Sequence, residues 1–274
     1  MKSVNLVDVN SMPEGSTIIE VKNVDRNFKS ELTGEKQRVL KNLSFTVTKG
    51  QTLAILGESG SGKSTMGKIL VGLLKPSNGE YYFLNQNPYK SKAARTVLSH
   101  HMSIVFQDYN TSVNPRFSVM DIIMESIKVY EKRIGEKSTK SDRADKVIKL
   151  LEEVGLDKSY VDRFPHQLSG GQLQRVCIAR AVATMPSVIL FDEAISSLDA
   201  HTQVVVMDLL KEIQKKRGLT YIFITHDLAS VTYFCDRVMF LYKGEVTELI
   251  DVKDISKSEN EYAKQLLNAV IEIE

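Results

Sequence analysis

The octapeptide Gly57-Glu58-Ser59-Gly60-Ser61-Gly62-Lys63-Ser64 fills the spacing GxxxxGK[ST] in full. Glycines here let backbone N–H groups turn inward around phosphate oxygens, where a Cβ would crowd. Lys63 is spaced to reach the β and γ phosphates, and the Ser64 hydroxyl to ligate a bridging Mg²⁺. The cradle is expected to run through Thr65 into a helix that aims its positive end at the same point. Alone, this spacing means nucleotide phosphate binding and nothing narrower, because kinases, GTPases and motor ATPases share it.

Val188-Ile189-Leu190-Phe191 reads as a buried strand that ends in two acids, Asp192-Glu193. Asp192 is suited to hold Mg²⁺ through water, and Glu193 to face the γ phosphate and polarise an attacking water as general base. Tyr221-Ile222-Phe223-Ile224-Thr225 is another such strand. It empties into His226, at the sheet end where parallel α/β sheets place ligands. The remaining histidines read as solvated or satisfied. His100-His101 are adjacent, point differently and have no third metal ligand in sequence.

These groups need a scaffold, and the chain supplies strands and helices in alternation. Ile18–Val24 and the period-two run Leu43–Val47 suggest an antiparallel lead-in around a polar stretch at Ser30–Gln37. Thr52–Leu56 feeds directly into the glycine loop. Met66, Ile69, Leu70 and Leu73 mark one face of the helix beyond it, which the Pro76–Gly79 region should end. Helical patterning runs from about Asp121 to Glu153, interrupted around Glu131–Asp142, with Val147, Leu150, Leu151 and Val154 on one face and Gly155 as cap. Strand character returns at Val188–Phe191, Tyr221–Thr225 and Val238–Tyr242, between helices at about 203–217 and 227–235. Val204-Val205-Val206 with Leu209, Leu210 and Ile213 reads as helix packing, and Cys177 as a small buried hydrophobe. The alternation implies a largely parallel α/β sheet.

At 274 residues, 42% hydrophobic and 26% charged, the composition is that of a folded globular chain. Its net charge of +2 collects neither nucleic acid nor anionic membrane by field alone, so an anionic ligand must be held by local geometry. Cys177 and Cys235 form no metal or disulfide pattern, which suits a reducing compartment. The N-terminus lacks an apolar signal core and no window suits a membrane span. A cytosolic chain that docks on a membrane protein through its surface fits these facts.

Leu168-Ser169-Gly170-Gly171-Gln172, followed by Leu173-Gln174-Arg175, resembles the signature sequence of the ATP-binding cassette family. The order phosphate loop, Gln107, signature, Asp192-Glu193, Ser197-Leu198-Asp199, His226 is also similar to that family's order, over roughly residues 17–250. The resemblance implies an α/β P-loop NTPase (RecA-like) core over about 17–108 and 174–250, with an antiparallel β lead-in. It implies an inserted helical signature subdomain over about 109–173, a flexible leader at 1–16 and a C-terminal tail at 251–274. It further implies a head-to-tail dimer in which ATP is sandwiched between one subunit's phosphate loop and the other's signature. Ser169 and the two glycines can present hydroxyl and backbone donors to such a phosphate. By the same resemblance Phe28 stacks on adenine, Gln107 senses Mg²⁺ and links to the membrane subunit, His226 contacts the γ phosphate, and Asp199 lies at the dimer seam. Phe28 stands where Tyr is more usual, but stacking uses the ring face.

Phe106-Gln107-Asp108-Tyr109-Asn110-Thr111-Ser112-Val113-Asn114-Pro115-Arg116 resembles the FQDPxxSLNPR stretch of ATPase subunits from peptide and nickel importers, with Tyr109 for Pro and Val113 for Leu. Gln172–Ala181 and Phe234–Met239 resemble the nickel-type member more closely, and Glu261–Val270 the tail of the broader group. The cysteine-bearing extension of many peptide-importer ATPases is missing. The expectation is therefore an importer ATPase for nickel, cobalt or a metal-chelator complex, with oligopeptide or dipeptide import as the alternative. Implied partners are a second ATPase, identical or homologous, two membrane-spanning permease subunits and, indirectly, an extracytoplasmic binding protein, at the cytoplasmic face of the membrane. A soluble cassette ATPase of translation or DNA maintenance is the rival of a different class. It usually carries two cassettes or a long coiled coil, and the charge offers no nucleic-acid footprint. A small-molecule kinase is disfavoured by the signature.

Overall fold

The computed structural model describes residues 8–29 and 34–265, so residues 1–7 of the leader expected at 1–16 and residues 266–274 of the tail expected at 251–274 lie outside the described residues. Two compact units emerge. One comprises the described residues up to Ser99 together with those from Thr220 onward; the other is His100–Leu219.

In the first unit β1 (Thr17–Lys29) pairs antiparallel with β2 (Lys36–Thr48) on one side and β4 (Asn78–Phe83) on the other. This is the antiparallel lead-in the alternating residues imply, longer than Ile18–Val24 at both ends. A second sheet holds β3 (Thr52–Leu56) parallel to β7 (Thr220–Thr225) and β8 (Arg237–Tyr242), and β8 pairs antiparallel with β9 (Glu245–Asp251). Every residue of β3 and β7 is buried, which is why both read as unbroken apolar runs. Helices α1 (Lys63–Leu70) and α7 (Leu228–Phe234) belong here, with most of α2 (Lys92–His101). Met66, Ile69 and Leu70 are fully buried as expected. Leu73 is not part of that face: α1 stops at Leu70, and Leu73 is 65% exposed.

The second unit pairs β5 (Met102–Val105) parallel with β6 (Val188–Asp192). Around them stand α3 (Val119–Ile134), α4 (Lys140–Glu153), α5 (Gly170–Val182) and α6 (Ala200–Arg217). Capping boxes start α3 at Ser118 with Asp121 and α4 at Thr139 with Asp142, each box satisfying two amides the helix leaves unpaired. Val147, Leu150, Leu151 and Val154 are buried as one face, and Gly155 follows the cap at φ +68°. Buried Glu131 of α3 accepts from Arg143 Nε at 2.7 Å and Lys146 Nζ at 3.2 Å, tying α3 to α4. The compact unit is wider than the helical insertion expected at 109–173, because β5, β6 and α6 cluster with those helices. On α6, Val206, Leu210 and Ile213 are buried but Val204 and Val205 are exposed, so only part of that apolar run is packing surface.

Candidate functional site

The glycine loop joins β3 to α1. A Cβ on Gly57 would lie 2.2 Å from the Leu241 carbonyl oxygen, a backbone atom that cannot step aside. Gly62 caps α1 at φ +107°, a conformation closed to side chains. Lys63 is buried and curls back, donating from Nζ to the Gly57 carbonyl at 2.7 Å and the Glu58 carbonyl at 2.9 Å. Ser61 Oγ is buried without a hydrogen-bond partner, and an incoming phosphate would satisfy it. Ser64 is exposed and Thr65 half-buried at the helix start. A buried cation, an orphaned hydroxyl and a loop with no room for a Cβ at Gly57 or Gly62 fit a nucleotide's phosphates.

In the same unit Leu56 of β3 stands level with Thr225 of β7, so the loop and His226 leave one sheet edge together. His226 is exposed there, and Asp227 behind it caps α7 by accepting from Ala229 N and Ser230 N. Phe28 lies on β1 opposite Gln37, exposed, with the Arg26 guanidinium 4.6 Å from its ring centroid. It is therefore no core phenylalanine.

In the second unit Val105 pairs with Phe191, and Gln107 and Glu193 lie just beyond that register. Gln107 Nε2 donates to Glu193 Oε2 at 3.1 Å. Glu193 adopts φ +48°, uncommon for a side chain with a Cβ, and Ser196 donates from both N and Oγ to its carbonyl. Asp192 is half-buried at the end of β6.

The signature forms the start of α5. Ser169 is the cap: its Oγ accepts from Gln172 N at 3.3 Å, while Gln172 Oε1 accepts from Ser169 N at 2.9 Å. The hydroxyl thereby spends a lone pair on the helix and keeps its hydrogen to donate outward. Ser169, Gly170, Gly171 and Gln172 line a cavity of about 480 Å³, which Asp199 joins from the start of α6. Leu168 leads into it from a 3-10 turn. Asp199 caps α6, and its hydrogen bonds from the Thr202 side chain and backbone hold its carboxyl below the usual range.

Sequence reasoning assigned no site role to several contributors to that cavity. Tyr160 accepts from Gln172 Nε2 at 3.0 Å, Arg175 borders it, and the Tyr109 hydroxyl stands 2.6 Å from where a Gly170 Cβ would be. Only the Tyr109 substitution in an otherwise familiar stretch offered a signal. His101, by contrast, is engaged through Nδ1 with Ser187 Oγ at 2.9 Å, and among the described residues no group of His, Cys, Asp and Glu side chains converges to hold a metal.

A phosphate loop between strand and helix, acids at a strand end and a serine-capped signature helix define a nucleotide hydrolase of the cassette type. The family model for the ABC transporter matches residues 40–196. The chain belongs to the ABC transporter family, as its ATP-binding and ATP-hydrolysing subunit. It is 40% identical over 256 residues to the oligopeptide transport ATP-binding protein OppF of Bacillus subtilis, covering 92% of this chain and 82% of that protein. Identity is also 40% over 252 residues to the metal-staphylopine import system ATP-binding protein CntF of Staphylococcus aureus, covering 91% of this chain and 98% of that one. Among solved structures, the ATP-binding cassette MJ0796, dimeric and bound to ADP and Pi after hydrolysis, superposes with a TM-score of 0.76 at 30% identity, covering 85% of this chain and 98% of that one. No helix among the described residues is long and apolar enough to cross a membrane.

Proposed function

We infer that the chain powers a membrane importer of the peptide or nickel class, working peripherally at the cytoplasmic face as one of two ATPase subunits. The phosphate loop carries this reading: its buried Lys63 and the glycine positions closed to side chains leave a phosphate-sized task for the backbone. Lys63 and the amides of Gly57–Thr65 hold the β and γ phosphates, while Phe28 stacks on adenine and His226 contacts the γ phosphate. Ser64, Gln107 and Asp192 are the groups that would hold Mg²⁺, which when bound neutralises phosphate charge. Glu193 accepts the proton of the attacking water. Leu168–Gln172 and Asp199, on the 109–173 signature segment and at the start of α6, serve the nucleotide of the second ATPase.

The remaining partners are two permease subunits and an extracytoplasmic binding protein. A metal ion or metal-chelator complex is the first cargo reading, supported by similarity to the metal-staphylopine importer's ATPase. Equal identity to an oligopeptide importer's ATPase supports peptide as the second. The test is purification with the native permease, followed by ATPase assays with candidate binding proteins loaded with metal chelate or with peptide. Stimulation by one class assigns the cargo. Co-purification with ribosomes or DNA, and with no membrane subunit, sinks the importer reading.

A further inference from the structure

The Gly57–Glu58 peptide group is held from both ends. Its carbonyl oxygen, on Gly57, accepts from Lys63 Nζ at 2.7 Å. Its N–H, on Glu58, donates to the Tyr262 hydroxyl at 3.0 Å. Carbonyl and N–H of one trans peptide are rigidly opposed, so whatever fixes the N–H aims the oxygen. Hydrogen bonds at the two ends of one peptide also polarise each other.

Tyr262 comes from the helical turn at 261–265, 204 residues along the chain from Glu58. It is placed firmly. Its ring packs 4.7 Å from Tyr242 and edge-on to Phe240 at 6.4 Å, centroid to centroid, and the residue is 7% exposed. Asn260 starts the turn, accepting at Oδ1 from Tyr262 N and Ala263 N while donating from Nδ2 to the Thr247 carbonyl. Ser258 anchors the approach through Glu248, and Ala263 is fully buried. The far side of the loop has its own brace, Gly244 N donating to the Ser61 carbonyl at 3.0 Å.

We propose that Tyr262 is a positioning residue for nucleotide binding: its hydroxyl orients the Gly57–Glu58 peptide, and through that peptide's oxygen it sets the Lys63 ammonium for the phosphates. Docking of the segment at 258–265 thus becomes part of the phosphate site, and its release weakens the grip on ATP. This inference rests on the nucleotide reading of the loop.

The test uses Tyr262→Phe in the full chain, which keeps the ring contacts and removes only the hydroxyl that accepts from Glu58 N. ATP titration is expected to show Kd raised about three- to tenfold, the size of one neutral hydrogen bond, with the loss falling on KM more than on kcat. Hydrogen exchange at the Glu58 amide rises while Ala263 stays protected. Combined with Lys63→Ala, the tyrosine change adds nothing further, because its effect passes through that ammonium. Unchanged ATP affinity, strictly additive losses, or loss of protection across the whole 258–265 segment would each overturn the proposal. Failure of the wild-type chain to bind ATP sinks the nucleotide reading instead, so the two failures are distinct.

Discussion

Gln107 Nε2 and Glu193 Oε2 are joined by a 3.1 Å hydrogen bond across 86 residues of sequence. The amide nitrogen can only donate there, so it holds Oε2 and orients the Glu193 side chain. A residue read as the link to the membrane subunit and a residue read as the general base thus share one contact.

Glu193→Gln keeps the side chain's shape and removes its basicity. It is expected to retain ATP, favour the paired state and lower turnover by about a hundredfold or more. Phosphate release and size-exclusion chromatography in ATP check both halves; wild-type-like hydrolysis removes Glu193 from the role.

Lys63→Ala removes a buried ammonium and leaves two loop carbonyls short of a donor. ATP affinity is expected to fall about ten- to hundredfold, as for charge-assisted hydrogen bonds. Calorimetric titration with ATP gives the answer, and an unchanged Kd counts against the cradle.

Ser169→Ala deletes the cap of α5. A stability loss of about 1 kcal/mol is expected from urea unfolding. ATP affinity of the single subunit should stay near wild type while turnover of the paired subunits falls, if, as proposed, the hydroxyl serves a phosphate brought by the partner. A parallel loss of single-subunit affinity contradicts this division.

Burial pushes the Glu131 carboxyl up, but hydrogen bonds from Ser138, Arg143 and Lys146, with the Arg143 charge, outweigh it and bring it down to about 2. The folded value lies below the ordinary 4.5, so its stabilisation is complete above that pH and drains away as pH falls from about 4.5 towards 2. Glu131→Gln should cost about 1 to 3 kcal/mol at pH 7, since its partners are partly solvated, and should flatten the acid limb of the stability curve. Urea melts between pH 3 and 7 on both chains decide it.

What the sequence by itself determined is the part encoded in neighbours. Gly57–Ser64 could be read because its chemistry depends on adjacent backbone amides, and β3, β6 and β7 because burial on both faces demands apolar runs. The cap at Ser169 with Gln172 is also local, three residues apart, but it came from the structure, since the sequence reads there only as donors to a phosphate. Periodicity states which face of a helix is apolar and is silent on where the opposing surface ends. That is why Leu73, Val204 and Val205 read as packing and are exposed. Contacts such as Gln107 with Glu193, Tyr160 with Gln172 and Tyr262 with Glu58 were decided by tertiary structure alone. Strand register and loop docking bring these distant segments within hydrogen-bond range, and no local pattern of residues specifies such a distance.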